Sequence, residues 1–311
     1  MRHSNLSLLL LVSFFIIGTF TLTACSSSNY KTNIHEINEE FNNISVNTDT
    51  ADIAFVPSND STVKVACYEN AKKSHSVEVQ NSTLTISTLT SNEKWYNPIY
   101  VNKNSPKITV YLPASDYASL VIEESTGDIE ISKDFAFKSI DVSLSTGDVK
   151  CYASVTESIN IVASTGDIYA ENISANSINL TVTTGDVNVS DVTCDKNITI
   201  GVSTGKAYLT DIACQNFSST GRTGDITLRN VIATEKCSIE RSTGNVTFEN
   251  SDATELFITT STGNVEGTLL TEKVFITKTG TGHINVPNSI TGGRCEITTT
   301  TGNIKMSISN N

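Results

Sequence analysis

The chain has 311 residues, a formal net charge of −12 at pH 7 and only 7% aromatic residues. A strongly acidic surface that is poor in aromatic side chains argues against nucleic acid and against anionic lipid headgroups as partners. The acidity also has a simpler explanation, which is that it keeps an exported protein soluble.

Residues 1–24 have the features of an export signal. Arg2 provides a short positive region, and residues 6–20 form an apolar run that is too short to span a membrane as a helix. The run ends in Leu22-Thr23-Ala24-Cys25, which resembles the lipobox of bacterial lipoproteins. The resemblance implies that Cys25 becomes the mature N-terminus and carries a lipid that anchors the chain to a membrane, facing the cell exterior or the periplasm. The alternative is an ordinary secretory signal with a chance cysteine at this position.

The segment after the signal is irregular. Residues 25–33 are polar and are predicted to form a tether, and residues 34–120 alternate like strands without a fixed period. Residues 90–107 contain Trp95, Tyr96 and Tyr100 and predict a protruding loop, a kind of segment that often binds partners. The alternative is that these aromatic side chains fold back over the neighbouring strands.

From Ser125 onwards the chain repeats one short phrase. It consists of a hydroxyl residue or its substitute, then Thr, then Gly, then usually Asp or Asn, and successive copies lie 19 or 20 residues apart. A period that is held so closely predicts one structural unit stacked on itself. The Thr-Gly pairs begin at Thr126, Thr146, Thr165, Thr184, Thr204, Thr223, Thr243, Thr262, Thr281 and Thr301.

Each repeat has the pattern of short strands. Apolar residues alternate with polar ones on both sides of the glycine, and a repeat of this length is too short for a strand–helix–strand unit of about 30 residues. The sequence therefore predicts an all-β fold, a single-stranded parallel β-solenoid (β-helix-like) over residues 121–311. An irregular N-terminal β cap over residues 34–120 would cover its first rung. The glycine is expected to occupy a corner with positive φ, and the following Asp or Asn to bond to local backbone.

These motifs resemble those of a known family. Thr50-Ala51-Asp52-Ile53 is a degenerate corner, residues 108–113 form an Ile-Thr-Val-Tyr-Leu-Pro strand, and Ser-Thr-Gly-Asp-Ile units follow. The order is similar to that of the bacterial putative-adhesin family of β-strand-repeat domains, whose function is unknown, and the similarity spans roughly residues 34–308. It implies an exported or envelope-associated β-solenoid, and it assigns no functional residue.

Six cysteines follow Cys25, and none forms a Cys-x-x-Cys pair, so a zinc or redox motif has no support. Most are predicted to be small buried hydrophobes. Cys194 and Cys214 occupy equivalent positions in adjacent rungs, with an expected Cα separation of about 5 Å, which a disulfide allows. Parallel side chains on stacked rungs give poor Cβ geometry for such a bond, and both states stay open.

The position after the corner glycine raises the possibility of a metal. Carboxylates at four successive corners could hold Ca²⁺ between rungs. Later corners carry neutral Asn, so turn chemistry is the better explanation, and we predict no metal and no other cofactor. The residues in this position are Asp128, Asp148, Asp167, Asp186, Lys206, Asp225, Asn245, Asn264, His283 and Asn303.

The sequence shows no catalytic constellation. The three histidines after the signal, His35, His75 and His283, stand in unrelated contexts, and no Gly-x-Ser-x-Gly or Walker-type motif is present. We therefore predict a lipid-anchored envelope protein that binds or scaffolds an unknown protein or glycan partner and is not an enzyme. One alternative is a polysaccharide-active enzyme with its site beside residues 90–107. Another is a solenoid that self-assembles through an uncovered last strand in residues 300–311.

Overall fold

The computed structural model describes residues 30–71, 73–89 and 105–309, and all the regular structure in these ranges is β-strand. No helix in these ranges is long and apolar enough to cross a membrane. The strands form one connected hydrogen-bonded network, which confirms the predicted all-β solenoid. The strands are β1 (Lys31–Ile37), β2 (Asn43–Thr50), β3 (Asp52–Pro57), β4 (Val63–Glu69), β5 (Ser74–Gln80), β6 (Thr83–Leu89), β7 (Lys107–Leu112), β8 (Asp116–Thr126), β9 (Ile129–Ile131), β10 (Ala136–Thr146), β11 (Val149–Cys151), β12 (Ser154–Thr165), β13 (Ile168–Thr184), β14 (Val187–Thr204), β15 (Ala207–Thr223), β16 (Ile226–Thr243), β17 (Val246–Thr262), β18 (Val265–Leu269), β19 (Lys273–Thr281), β20 (Ile284–Asn285), β21 (Gly293–Thr301) and β22 (Ile304–Ile308).

The middle of the chain is a regular parallel stack. Strands β12 to β17 pair each with the next, and equivalent residues of consecutive repeats lie opposite one another. Ile178, for example, lies between Ile159 and Ile198, and all three are buried. Because side chains of a strand point alternately to opposite faces, each in-register apolar position becomes an internal column of buried residues. These columns form the core and confirm the predicted inward-facing positions.

Each regular rung bends at a second corner, which is not among the corners predicted from the sequence. The inward and outward alternation of β13 is interrupted at Asn172, which has φ of +57°. Asn and Asp tolerate this left-handed conformation better than other residues that have a Cβ. The signal was present in the sequence as an Asn or Asp that recurs, in five consecutive rungs, five residues after the position that follows the corner glycine. The residues at this second corner are Asn172, Asp191, Asp211, Asn230 and Asn250.

The N-terminal end departs from the simple stacking order. The rung formed by β2 and β3 lies between the β6–β7 rung and the β8–β9 rung, and all these pairings are parallel. Strand β5 pairs antiparallel with β6, β4 pairs antiparallel with β7, and β1 pairs antiparallel with β4. The region predicted as a β cap thus contains two parallel rungs of its own, covered by antiparallel strands. The domain boundary at residues 120/121 stays a prediction.

The C-terminal end shows the same departure. Strand β21 pairs with β17 on one side and with β19 on the other, and β22 likewise pairs with β18 and β20. The last rung of the chain therefore lies between its two predecessors. In chain order Phe275 follows Leu256 at this position of the repeat. In the stack, however, Cys295 lies between them, opposite Leu256 on one side and Phe275 on the other. The expected uncovered edge in residues 300–311 is consequently wrong for the described part of that range, because β19 and β20 form the end of the stack.

Candidate functional site

The corner glycines determine the local shape of every rung. Gly185 has φ of +143°, and a Cβ atom built on it would lie 1.9 Å from the carbonyl oxygen of Gly166 in the preceding rung. Only glycine adopts this backbone conformation easily, and only glycine permits so close an approach of two backbones. The predicted positive φ at the corner is confirmed.

The Asp or Asn after the glycine acts between rungs rather than locally. Asp148 Oδ1 accepts a hydrogen bond from the backbone N–H of Asp167 at 2.8 Å, and Asp167 Oδ1 accepts one from Asp186 at 2.7 Å. Lys206 has no acceptor in its side chain, so the ladder stops there and begins again at Asp225. The acceptors of this ladder are Asp52, Asp128, Asp148, Asp167, Asp186, Asp225, Asn245, Asn264 and Asn303.

The ladder explains the acidic row without a metal ion. An amide oxygen performs the same task as a carboxylate oxygen, which is why Asn occupies later corners. Within the described ranges, the corner carboxylates do not bring three metal-ligating atoms within 4.8 Å of one another. The side chains of the row accept backbone hydrogen bonds from the next rung. The sequence predicted bonds to the local backbone instead, and that expectation is wrong.

An exposed file of threonines runs along the same corner. The Thr before each corner glycine, and the equivalent Thr50 before Ala51, lie directly opposite their counterparts in the neighbouring rungs. All of them are exposed except Thr50, which is half-buried. We call this set the threonine file. In spatial order its members are Thr50, Thr126, Thr146, Thr165, Thr184, Thr204, Thr223, Thr243, Thr262, Thr301 and Thr281.

A second row of hydroxyl groups adjoins the threonine file. The residue before each file member is exposed, and in most rungs from Thr126 onwards it is Ser or Thr. Hydroxyl groups both donate and accept hydrogen bonds, so this edge of the solenoid offers a long strip of regularly spaced donors and acceptors. The members of the second row with a hydroxyl are Ser125, Ser145, Ser164, Thr183, Ser203, Ser242, Ser261 and Thr300.

The residues that stand two positions before each member of the threonine file form another internal column, which is mostly apolar. Two buried ionisable side chains, Glu124 and Arg241, interrupt it. The hydroxyl of Thr48 donates to Glu124, and the backbone N–H groups of Ala51 and Thr126 donate to its other oxygen at 3.2 and 3.1 Å. Burial raises the pKa of Glu124 to about 7 despite these bonds. Since the neighbouring rungs already supply its partners, Glu124 has the surroundings of a structural group rather than of a general acid.

Arg241 is the second charged group in this column. Its guanidinium occupies the space over Gly221, where a Cβ atom would lie 1.5 Å from Nη1, and Nη2 donates to the hydroxyl of Ser219 at 2.8 Å. Other rungs have bulkier apolar residues in place of Gly221 and Ser219, for example Val202 and Ile200. These two small residues therefore make room for one large one. Burial lowers the pKa of Arg241 to about 10.

A cleft of about 530 Å³ opens where the last rungs change order. It is lined in part by Thr234, Thr254 and Gly292, and by the ion pair between Lys273 Nζ and Asp252 Oδ1 at 2.6 Å. Both charged side chains are buried, and Asp252 Oδ2 has no hydrogen-bond partner within the described ranges. The cleft can therefore accept a polar group.

The structure places the predicted cysteines and histidines in different surroundings. Cys194 and Cys214 are buried free thiols, as are the other four described cysteines. Cys67 lies close to Glu69 and His75, a grouping that was not predicted from the sequence. The available signal was the alternation in β4, which places Cys67 and Glu69 on one inner face, but the approach of His75 depends on the turn at residues 70–73. His283 lies in the end rung, and its backbone N–H donates to Asn303 Oδ1 at 2.9 Å.

Several predicted features lie outside the described residues. They are the signal segment, the lipid-bearing Cys25 and the aromatic residues Trp95, Tyr96 and Tyr100, beside which the alternative enzyme site was predicted.

The described geometry defines a class of protein. It is a parallel β-solenoid whose rungs share a glycine corner, a cross-rung Asp/Asn ladder and an exposed threonine file. The chain belongs to the Toastrack DUF4097 family, which matches residues 41–206 and 195–311. This confirms the resemblance to a bacterial family of β-strand repeats.

Solved structures of several bacterial proteins are similar to this chain at low sequence identity. A "putative adhesin" of Bacteroides fragilis is 16% identical, with 90% of this chain and 98% of that chain covered and a TM-score of 0.45. A "putative lipid binding protein" of Parabacteroides distasonis is 18% identical, with 76% and 94% covered and a TM-score of 0.45. A "putative adhesin" of the latter species is 13% identical, with 90% and 98% covered and the same score. At these scores the similarities carry no argument about what this chain binds. No curated protein matches it.

Proposed function

We propose that this chain is a lipid-anchored envelope protein whose solenoid binds a repetitive surface partner through the threonine file and does not catalyse a reaction. The observation that carries the proposal is the in-register exposure of the file along the whole stack. The partner is an uncharged or basic polymer, a glycan or a protein, because the acidic chain repels anionic surfaces.

The physical basis of binding is multivalency. Hydroxyl groups repeat about every 4.8 Å along a rigid edge, since that is the spacing of paired strands. Each contact is weak by itself, but once one contact forms, the next becomes an intramolecular event with a high effective concentration. A partner with polar groups at a similar repeat therefore gains affinity with each rung that it covers.

Binding to isolated bacterial cell walls tests this proposal. Replacing Thr165, Thr184 and Thr204 by Val together keeps the branched shape of each side chain and removes three adjacent hydroxyls. We expect the fraction of protein that sediments with the walls to fall at least tenfold, by analogy with the gain from linked contacts of about 10²–10⁴. The control replaces Thr193 and Thr199 by Val as well, because these two threonines are exposed but lie outside the file. Equal loss in both variants, or no loss in either, would contradict a role for the file.

The anchor is proposed from the sequence of residues 22–25. In bacteria that express the chain and are fed radiolabelled palmitate, the label should appear in the wild-type protein, and the protein should sediment with membranes. The Cys25→Ser variant should lack the label and be released into the soluble fraction. Membrane association of an unlabelled Cys25→Ser variant would show that a different feature holds the chain at the membrane.

Self-assembly is the alternative that a specific observation favours. Within the described ranges, β19 pairs only with β21 and β20 only with β22, and the exposed Ile276 and Ile284 lie on this end rung. An unpaired edge with apolar side chains is a template for another chain. Sedimentation velocity over a hundredfold range of concentration distinguishes the two functions. A monomer throughout supports the binding protein, whereas growing polymers that Ile276→Lys abolishes would support assembly.

A further inference from the structure

The covering strands of the N-terminal end enclose a cluster of three different metal-ligating side chains. Cys67 and Glu69 project from the inner face of β4, and His75 lies near the start of β5. The three residues are 0%, 3% and 5% exposed, and one ligating atom of each lies within 4.8 Å of the others. Within the described ranges, no other group of three or more such residues comes so close together.

We propose that Cys67, Glu69 and His75 bind a divalent transition-metal ion, with Zn²⁺ as the expected occupant. Thiolate, imidazole and carboxylate are the three ligand types that Zn²⁺ takes in proteins, at about 2.0–2.3 Å. Bonds of that length hold ligand atoms roughly 3.5 Å apart. Separations of up to 4.8 Å would therefore shorten, and the 2.9 Å contact between His75 Nδ1 and Glu69 Oε2 would lengthen if both atoms bind the metal. Hard cations such as Ca²⁺ and Mg²⁺ prefer oxygen ligands and are disfavoured by the thiol and the imidazole.

The charges in the cluster favour a cation. Glu69 is a buried carboxylate, and its described partners are the amide of Asn33, the backbone N–H of His75 at 2.7 Å and the ring Nδ1 of His75 at 2.9 Å. A buried carboxylate without full charge compensation is costly. A divalent cation bound by one thiolate, one carboxylate and one neutral imidazole makes the cluster electrically neutral.

The surroundings resemble an outer shell that orients ligands. Asn33 Nδ2 donates to Glu69 Oε1, and the backbone N–H of His75 donates to Oε2, so both carboxylate oxygens are held in place. Such contacts usually fix the ligands of a metal. On β1, His35 lies two residues from Asn33 on the same face, and its Nε2 is buried without a hydrogen-bond partner. His35 is not part of the group whose ligating atoms lie within 4.8 Å of one another, so it would have to move closer to supply a further nitrogen ligand.

A metal here would join two strands that the backbone leaves separate. Strand β4 belongs to the ladder of β7, and β5 belongs to the ladder of β6, while residues 70–73 connect them through an isolated bridge. Bonds from Cys67 and Glu69 on one strand and His75 on the other would close this corner. The expected consequence is a more stable covering of the first parallel rungs.

Titration of the purified full chain with Co²⁺ under reducing conditions tests the site. Cobalt bound to a thiolate gives a charge-transfer band in the near ultraviolet that a site without sulfur does not give. We expect this band to saturate at one equivalent, to disappear when Zn²⁺ is added, and to be lost in Cys67→Ala. The matched control is Cys214→Ala, because Ala233 occupies the equivalent position in the adjacent rung, so that this variant folds and keeps the band.

Two further variants keep the test decisive if Cys67→Ala fails to fold. Glu69→Gln and His75→Gln preserve hydrogen bonding and should each weaken the affinity for Zn²⁺ more than tenfold, since even outer-shell changes cost about 10–100-fold. Removal of Zn²⁺ by a chelator should lower the melting temperature of the wild type and leave that of Glu69→Gln unchanged. A folded wild type without the cobalt–thiolate band, a band that Cys67→Ala retains, or affinities unchanged in both Gln variants would overturn the proposal.

Discussion

The corner glycine gives the sharpest test of the fold. Gly185→Ala places a methyl carbon 1.9 Å from the carbonyl oxygen of Gly166 and 2.6 Å from its carbonyl carbon, while φ remains at +143° unless the corner moves. The backbone conformation alone costs a residue with a side chain about 1–3 kcal/mol. Relief of the overlap requires adjacent rungs to separate, which costs about 1–3 kcal/mol more. We therefore expect a destabilisation of about 2–6 kcal/mol.

The measurement is a thermal and chemical denaturation of the full chain followed by circular dichroism. For a domain of this size, such a loss lowers the melting temperature by about 4 °C or more. The matched control is Gly201→Ala. Gly201 lies in a strand without positive φ, and its added methyl would meet only the side chain of Thr181, at 3.2 Å from Oγ1. We expect this control to stay within about 1 kcal/mol of the wild type. Equal stability of the two variants would refute the assignment of the corner.

Three further predictions follow from the columns and ladders. Ile200→Asp should unfold or aggregate the chain because it buries an unpaired charge. Thr199→Asp on the exposed face should remain soluble and folded in size-exclusion chromatography. A folded Ile200→Asp variant would mean that the inward and outward faces of the strand are assigned the wrong way round. Asp148→Ala should lose about 1 kcal/mol in a denaturant titration, while Asp148→Asn should keep the cross-rung bond and the stability, and equal losses would disprove the ladder's role. The pKa of Glu124, raised to about 7 in the folded chain, means that the folded state retains a proton that the unfolded state has released, so stability should fall as pH rises from about 5 to above 7. Glu124→Gln should flatten that dependence in melts across this range, and an equally steep profile in the variant would assign it to another group.

Much of the regular part of the fold follows from the repeat. The Thr-Gly phrase recurs because each copy needs the same corner, and the same period places Ile159, Ile178 and Ile198 in one buried column. In-register stacking also makes every outward position a file, so the threonine file was implicit in the ten Thr-Gly pairs. The second corner at Asn172 also leaves a recurring Asn or Asp in the sequence, but such residues are common at any exposed position of a strand repeat.

The order of the rungs at the two ends was not predictable from the period. The repeats at Thr281 and Thr301 carry the same phrase, so the sequence allows either to pair with the repeat at Thr262. Proximity along the chain favours Thr281, whereas in the structure Thr301 is the neighbour of Thr262. The observed order forms particular tertiary contacts that the period does not encode, such as the buried ion pair of Lys273 with Asp252. The Cys67–Glu69–His75 cluster was missed for a similar reason, because strands with irregular spacing bring its members together.

The exchanged rungs at both ends limit how such a chain can change in length. The rung of β2 and β3 and the rung of β21 and β22 each lie one place inside the end of the stack. Deleting the final repeat would therefore leave a gap between β17 and β19 rather than a shorter solenoid, and an extra copy added after residue 309 would find no free neighbour beside its predecessor. Repeats can be gained or lost without such a gap only between the two exchanged rungs, where each unit follows its neighbour in chain order. The order of the rungs at the ends is thus fixed, and the length of the threonine file can change without such a gap only in the middle.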